Sequence, residues 1–142
     1  MPKIYIDYES QSIGGRALGK GPYADREDEH RDLTVNGLKK SKPQGFWGGI
    51  YSLEVDDALL SCEMLHLVVV RYTTGDSFGK SCGNYEFFGA RASRKEALQM
   101  KAQIEQEVED DKKPGSKVPY RPWIGYLERL ERVEIDCLPL DD

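Results

Sequence analysis

Apolar residues in the middle of the chain are spaced first as two strands and then as a helix. Residues 64–72 form an apolar run rich in β-branched side chains, which is typical of a central strand covered on both faces. Residues 75–77, Gly-Asp-Ser, supply turn chemistry, and residues 85–91 alternate as a second strand. Because so short a connection permits no parallel crossover, we expect the two strands to pair antiparallel.

A helix is predicted directly after the second strand. Ser93 and Glu96 have the spacing of a capping box, in which each side chain satisfies a free backbone N–H of the first turn. We expect a helix over residues 94–108 that packs one apolar stripe onto the sheet, above Val68 or Val69. The stripe consists of Ala97, Met100, Ile104 and Val108.

The remaining segments predict further strands and loops around this core. Residues 9–29 contain many glycines and charges without a sustained period, which predicts a long loop. Residues 123–130 place apolar side chains at helical spacing and predict a helical turn. Further strands are predicted at residues 2–8, at Leu33 and Val35 before an Asn36-Gly37 turn, at residues 50–55 and at residues 133–137.

These patterns predict an α+β fold, with an antiparallel β-sheet and one main amphipathic helix packed on one face. The 142 residues suffice for a single domain with a sizeable core. The net charge of −5 argues against general nucleic-acid binding, because that binding requires a basic face, and it leaves basic protein partners open.

Other features of the sequence bear on the compartment. No apolar run approaches the ~20 residues of a membrane span, and the N-terminus lacks the apolar core of a signal peptide. We therefore expect a cytosolic protein with no membrane partner. Cys62, Cys82 and Cys137 have no patterned spacing and are expected to be free thiols.

Two blocks in the second half of the chain carry a resemblance. The sequence VVRYTTGDSFG at residues 69–79 and the sequence PWIGYLERLERV at residues 122–133 resemble a group of small phage and prophage proteins with no established activity. The resemblance implies expression inside a bacterial host, in its cytosol, and an accessory role. It also divides the domain into a β-turn-β-α-β core over residues 61–142 and a family-specific elaboration over residues 1–60.

Asp7 and Glu9 are the weak catalytic candidates. An apolar strand that ends in Asp-x-Glu resembles the first motif of DnaQ-like 3′–5′ exonucleases, in which two carboxylates hold the metal ions that activate water. Such enzymes need further carboxylates from later motifs, and the sequence contains no convincing second or third motif. A solvated strand edge is therefore the favoured interpretation.

Residues 14–21 are rich in glycine but lack the ending of a phosphate-binding loop, which favours a surface loop. Arg16, Lys20 and Arg26 nevertheless give it a charge that would suit a small anionic ligand. His30 and His66 form no cluster with cysteine at metal-ligand spacing. We therefore predict no metal site and no cofactor.

The predicted helix ends in a run of carboxylates. The helix dipole disfavours negative charge at this end, so the run is either a solvated helix end or an acidic patch that attracts a basic partner. The run consists of Glu105, Glu107, Glu109, Asp110 and Asp111. Trp47 and Trp123 lie near glycines and prolines, where they either pack the rim of the core or anchor an interface.

Three functions are consistent with these features. The leading hypothesis is a non-enzymatic phage or mobile-element accessory protein that binds a host protein, with inhibition of a defence protein as one form of that role. The first alternative is a small-ligand or nucleotide-signal binding module that uses the glycine-rich loop. The second is a metal-dependent nuclease that uses Asp7 and Glu9. The oligomeric state stays open.

Overall fold

Eight strands and one α-helix make up the part of the chain that the structure describes. In this computed structural model, the described residues are 2–13, 17–18, 25–26, 30–42, 51–76 and 79–142. A short 3-10 helix, Asp57–Ser61, precedes the sixth strand. The elements are β1 (Lys3–Ile13), β2 (Ala17–Leu18), β3 (Asp25–Arg26), β4 (His30–Lys39), β5 (Tyr51–Glu54), β6 (Met64–Asp76), β7 (Gly79–Arg91), α1 (Arg94–Asp111) and β8 (Glu128–Asp141).

Six of these strands form one sheet in the order β5-β1-β4-β8-β6-β7, and β2 pairs with β3. The pairing is antiparallel except where β4 meets β8, at Leu38–Leu140 and Lys39–Asp141. With the single helix against it, this sheet confirms the predicted α+β class. No helix in the described part of the chain is long and apolar enough to cross a membrane.

Strands β6 and β7 form the predicted antiparallel hairpin. Pairing runs from His66–Arg91 to Asp76–Gly79. Gly75 and Asp76, which were predicted to lie in the turn, belong to β6 instead, and residues 77–78 lie outside the described residues. Gly75 belongs to β6 and has a φ of 113°, in the left-handed region that a side chain disfavours. Glycine here indicates an irregular strand end.

Strand β6 separates two apolar cores because its side chains alternate between the faces of the sheet. Its Leu65, Leu67 and Val69 belong to the first core, whereas Val68 and Val70 belong to the second, and all five are completely buried. The prediction of a central strand covered on both faces is confirmed.

The first core lies between the two ends of the sheet, which face each other. Tyr8 of β1 and Tyr51 of β5 both contact Phe87 of β7, with ring centroids 5.2 and 4.9 Å apart. Leu53 and Val55 are buried here, in agreement with the strand predicted at residues 50–55. Strands from the first sixty residues and from the remainder therefore share one core.

The second core lies beneath α1. The Ser93 hydroxyl accepts a hydrogen bond from the Glu96 backbone N–H at 3.2 Å, which confirms the serine half of the predicted capping box. The predicted stripe packs onto Val68, not Val69, which lies on the opposite face. The helix approaches the sheet closely at Gly89, where a Cβ would lie only 3.0 Å from the Met100 Cε atom.

Two loop predictions near the N-terminus were wrong. The segment at residues 9–29 is not loop throughout, because β1 continues to Ile13 and β2 and β3 follow. Asn36 and Gly37 make no turn and lie inside β4. Asp7 pairs with Gly37 while Tyr8 pairs with Val35, so Asn36 is the extra residue of a β-bulge.

The predicted helical turn at residues 123–130 is also wrong, because β8 begins at Glu128. Arg71 pairs with Arg132 and Tyr72 pairs with Leu130, so a bulge at Glu131 interrupts the register. Trp123, Tyr126 and Leu127 precede the strand in irregular backbone, where Trp123 is buried and Tyr126 is 93% exposed. Their three- and four-residue spacing therefore marks no shared helix face.

Candidate functional site

The loop between α1 and β8 is anchored by a buried tryptophan. Trp123 is 2% exposed and packs near Tyr72 and Phe88, with ring centroids 6.2 and 5.9 Å away. This burial supports the core-packing alternative for Trp123 over the interface anchor. Its Nε1 atom is buried without a hydrogen-bond partner among the described residues, and such a donor typically costs about 1–3 kcal/mol.

Arg121 fastens the same loop to the helix. Its Nε and Nη2 atoms donate hydrogen bonds of 3.0 and 3.3 Å to the Glu107 carboxylate. The guanidinium also lies 4.9 Å from the centroid of the Phe88 ring. The hydrogen bonds from Arg121 lower the pKa of Glu107, against the opposing effect of burial. These contacts hold the loop in one position against α1 and the sheet.

A groove of about 440 Å³ lies between the C-terminal half of α1, this loop and the start of β8. Its volume is within the range of about 300–1,000 Å³ found for ligand pockets. Four residues named from the sequence line it: Glu105, Glu109, Asp111 and Trp123. The other lining residues are Val108, Lys112, Ile124, Gly125, Glu128, Arg129 and Leu130.

The groove is acidic. Four carboxylates and two cations line it, which leaves an excess of two negative charges at neutral pH. Lys112 pairs with Glu109 at 3.0 Å, but both side chains are more than 60% exposed, so the pair contributes little stability. One Glu128 oxygen accepts a hydrogen bond from the Leu127 N–H at 3.0 Å. This bond is local, between neighbours in the chain, and it occupies one of the two Glu128 oxygens.

Two members of the predicted acidic run do not line the groove. Glu107 is held by Arg121, and Asp110 accepts hydrogen bonds from Gln106 at 2.9 Å and Lys113 at 3.3 Å. The hydrogen bond from Gln106, followed by that from Lys113, lowers the pKa of Asp110. The acidic run is therefore divided between groove lining and local pairing.

Large apolar side chains are exposed beside the groove. Tyr126 is 93% exposed and Leu127 is 39% exposed, and both lie between the lining residues Gly125 and Glu128. Tyr120, in the same loop, is 88% exposed. Neither tyrosine was predicted as a site residue, and neither was Glu128. Residues 120–127 lie in irregular backbone before β8, so no periodic pattern in the sequence marks the two tyrosines.

The other residues named from the sequence form no site in the described chain. Asp7 is half-buried and Glu9 is exposed, on β1. Among the described residues, no group of three His, Cys, Asp or Glu side chains could hold a metal ion, so the nuclease alternative gains no support there. Arg16, Lys20 and Trp47 lie outside the described residues, as does the side chain of Arg26.

The cysteine and histidine side chains that the structure describes, those of Cys62, Cys137 and His66, form no further site. Cys62 and Cys137 are free thiols, as predicted, while the Cys82 side chain lies outside the described residues. His66 is half-buried and pairs in register with Cys137 across β6 and β8. Its Nδ1 atom is buried without a hydrogen-bond partner in the described chain.

A second polar cluster lies on the opposite face of the sheet from α1. Arg71 is 8% exposed, and its Nε atom lies 3.5 Å from a Glu134 oxygen. The guanidinium is 5.9 Å from the centroid of the Tyr85 ring. Glu134 also accepts a 2.6 Å hydrogen bond from Arg132. Burial, and then the negative charge of Glu134, raise the pKa of Asp136, while Arg71 lowers it.

Comparison with known proteins gives no match for this chain. Neither a family model, nor a curated protein, nor a solved structure matches it. The resemblance to phage and prophage proteins therefore stays a prediction. Any functional conclusion depends on the groove and its surroundings.

Proposed function

We propose that this protein acts by binding another protein, with the acidic groove and the exposed tyrosines of the adjoining loop as its contact surface. The observation that carries the proposal is the position of Tyr126, 93% exposed, within a loop that Trp123 and Arg121 hold in place. A large aromatic side chain on a pre-ordered loop loses little conformational entropy on binding, and tyrosine is enriched at interface hot spots.

The biological setting belongs to the same proposal. The resemblance of the second half of the chain to phage and prophage proteins supports an accessory protein of a phage or mobile element, in the bacterial cytosol. Its target would be a host protein, and inhibition of a defence protein is one form of that role. The acidic lining favours a target with a basic surface, because complementary charge steers association.

Affinity capture from lysates of several bacterial hosts tests this proposal. The double variant Tyr120→Ser/Tyr126→Ser removes two exposed rings and should leave the fold intact. Met64→Ser is the matched control, since Met64 is 45% exposed but does not line the groove. We expect one partner to co-elute with the unaltered protein and the control in size-exclusion chromatography, and to be lost from the double variant.

Two outcomes would contradict the proposal. One is equal recovery of the partner by the double variant, which would exclude this surface. The other is the absence of any stoichiometric partner in every host, together with measurable catalytic turnover by the purified protein.

A further inference from the structure

We infer that the groove accepts an arginine side chain from the protein partner, an assignment that rests on the proposed binding function. Three properties of the groove determine the chemistry of its occupant: the origin of its carboxylates, the end of the helix that borders it, and its apolar lining.

The carboxylates come from two separate elements. Glu105, Glu109 and Asp111 lie on α1, and Glu128 begins β8, so negative charge borders the groove from both sides. Lys101 approaches Glu105 only to 3.9 Å, and both side chains are about half exposed. A guanidinium placed between the elements would find acceptors on each, and its planar fork suits carboxylate pairs.

The end of α1 adds to this preference for a cation. The last turn of α1 contains no basic residue. Backbone carbonyls at a helix C-terminus carry partial negative charge, which favours a nearby cation. Glu109 and Asp111 add negative charge to the groove lining there, and Lys112, which caps the helix, offsets part of it by pairing with Glu109. An inserted cation would therefore relieve both the dipole and the carboxylate repulsion.

The apolar lining suits a long basic side chain better than a free ion. Val108, Trp123, Ile124 and Leu130 all line the groove, and the methylene stem of arginine packs well on apolar surface while its head stays polar. The Trp123 ring lies in the groove wall, so its indole N–H signal reports on what enters the groove.

The exposed loop indicates that the arginine belongs to a protein. Tyr126 and Leu127 lie in the chain between two lining residues, and both are exposed. A small cation would leave them uncovered, whereas the segment that carries an inserted arginine would cover them. The groove would then be the polar pocket at the centre of a larger contact.

A short arginine peptide tests this inference directly. The chain has two tryptophans, so its indole N–H signals in a ¹⁵N-labelled sample are easily distinguished, and Trp47→Phe assigns them. We expect a blocked Ala-Arg-Ala peptide to shift the Trp123 indole signal saturably. The same peptide with citrulline, which is neutral and nearly isosteric, should not. Equal shifts with both peptides, or no saturation with arginine, would overturn the inference.

A pair of charge-matched variants locates the site. Glu109→Gln/Glu128→Gln removes two groove charges, and the glutamine at position 128 can still accept the Leu127 N–H bond. Asp57→Asn/Glu63→Gln removes two exposed charges outside the groove. We expect the first variant to bind the peptide on the order of tenfold more weakly and the second to bind it unchanged. Equal binding by both would exclude the groove.

The two proposals fail in different ways. If the arginine peptide does not bind but the tyrosine variant still loses a captured partner, the binding function stands and the arginine assignment is wrong. If the peptide binds specifically but no partner is captured and turnover is measured, the groove is a cation site and the proposed function is wrong.

Discussion

Shortening one buried side chain of α1 should destabilise the protein far more than shortening an exposed neighbour. Ile104 is completely buried in the core beneath the helix, with Val68 and Val70. Leu98, on the same helix, is 43% exposed. Ile104→Ala and Leu98→Ala remove the same number of carbon atoms, so the comparison isolates burial.

The expected magnitudes follow from that difference. Full burial of an isoleucine side chain is worth about 1.5–3 kcal/mol, and an unfilled cavity adds a further cost, so Ile104→Ala should lower the free energy of unfolding by about 2–5 kcal/mol. Leu98→Ala leaves no enclosed cavity and loses only part of its transfer term, about 1 kcal/mol or less. For a chain of this size, the first change should lower Tm by on the order of 10 °C.

Urea unfolding monitored by circular dichroism provides the assay. Both variants should keep the m-value of the unaltered protein, because the surface exposed on unfolding hardly changes. The midpoint should fall strongly for Ile104→Ala and slightly for Leu98→Ala. Equal midpoints for the two variants would show that the helix does not present Ile104 to the sheet, and the assignment of its buried face would be wrong.

Two further predictions concern charged groups. The folded-state pKa of Asp136 is raised, mainly by burial. The stability of the protein should therefore fall as the pH rises from the unfolded-state pKa of this carboxyl to its folded-state pKa. Asp136→Asn should flatten this pH dependence and raise stability at pH 7, whereas the exposed control Asp57→Asn should do neither. Arg121→Ala breaks two hydrogen bonds to Glu107 and should lower the free energy of unfolding by about 1–2 kcal/mol, measured by thermal or urea unfolding. The exposed control Lys113→Ala should lower it by less than about 0.5 kcal/mol. Equal losses would show that Arg121 does not fasten the loop to the helix.

The hairpin and the helix could be predicted because their signals are local. Strand β6 needs only an apolar β-branched run, and α1 needs only its Ser93 cap and a stripe at three- and four-residue spacing. No tertiary contact is required to recognise either pattern. Whether Val68 or Val69 lies beneath the helix could not be predicted from a local pattern, because it depends on which face of β6 the helix covers.

Errors in the fold arise where a strand register or the regular backbone is interrupted. Asn36 and Glu131 are each an extra residue in a paired strand. At Asn36 the sequence Asn-Gly imitates a hairpin turn. The helical spacing at residues 123–130 has another origin, because Trp123 and Tyr126 lie in irregular backbone before β8, one buried and the other exposed. Periodicity assumes an uninterrupted register, so a single inserted residue is enough to change the predicted element.

The candidate site was predicted in part. The acidic run was recognised because negative charge at a helix C-terminus has no local structural explanation, and three of its members line the groove. Glu128 and Leu130 were missed because they reach the groove from a different element. Tertiary contacts also decide which carboxylates form ion pairs within the protein, as Glu107 does with Arg121.

The stability of the groove variant separates a binding role from a structural one. Glu109 and Glu128 belong to a lining of four carboxylates and two cations, and the exposed Glu109–Lys112 pair contributes little stability. Removing two negative charges there should on balance reduce repulsion. Glu109→Gln/Glu128→Gln should therefore unfold at the same urea concentration as the unaltered protein or at a higher one, while it binds the arginine peptide more weakly. If the carboxylates instead stabilised the loop, the variant would lose stability and binding together. Higher stability together with weaker peptide binding would mean that these charges reduce the stability of the fold and act in ligand binding.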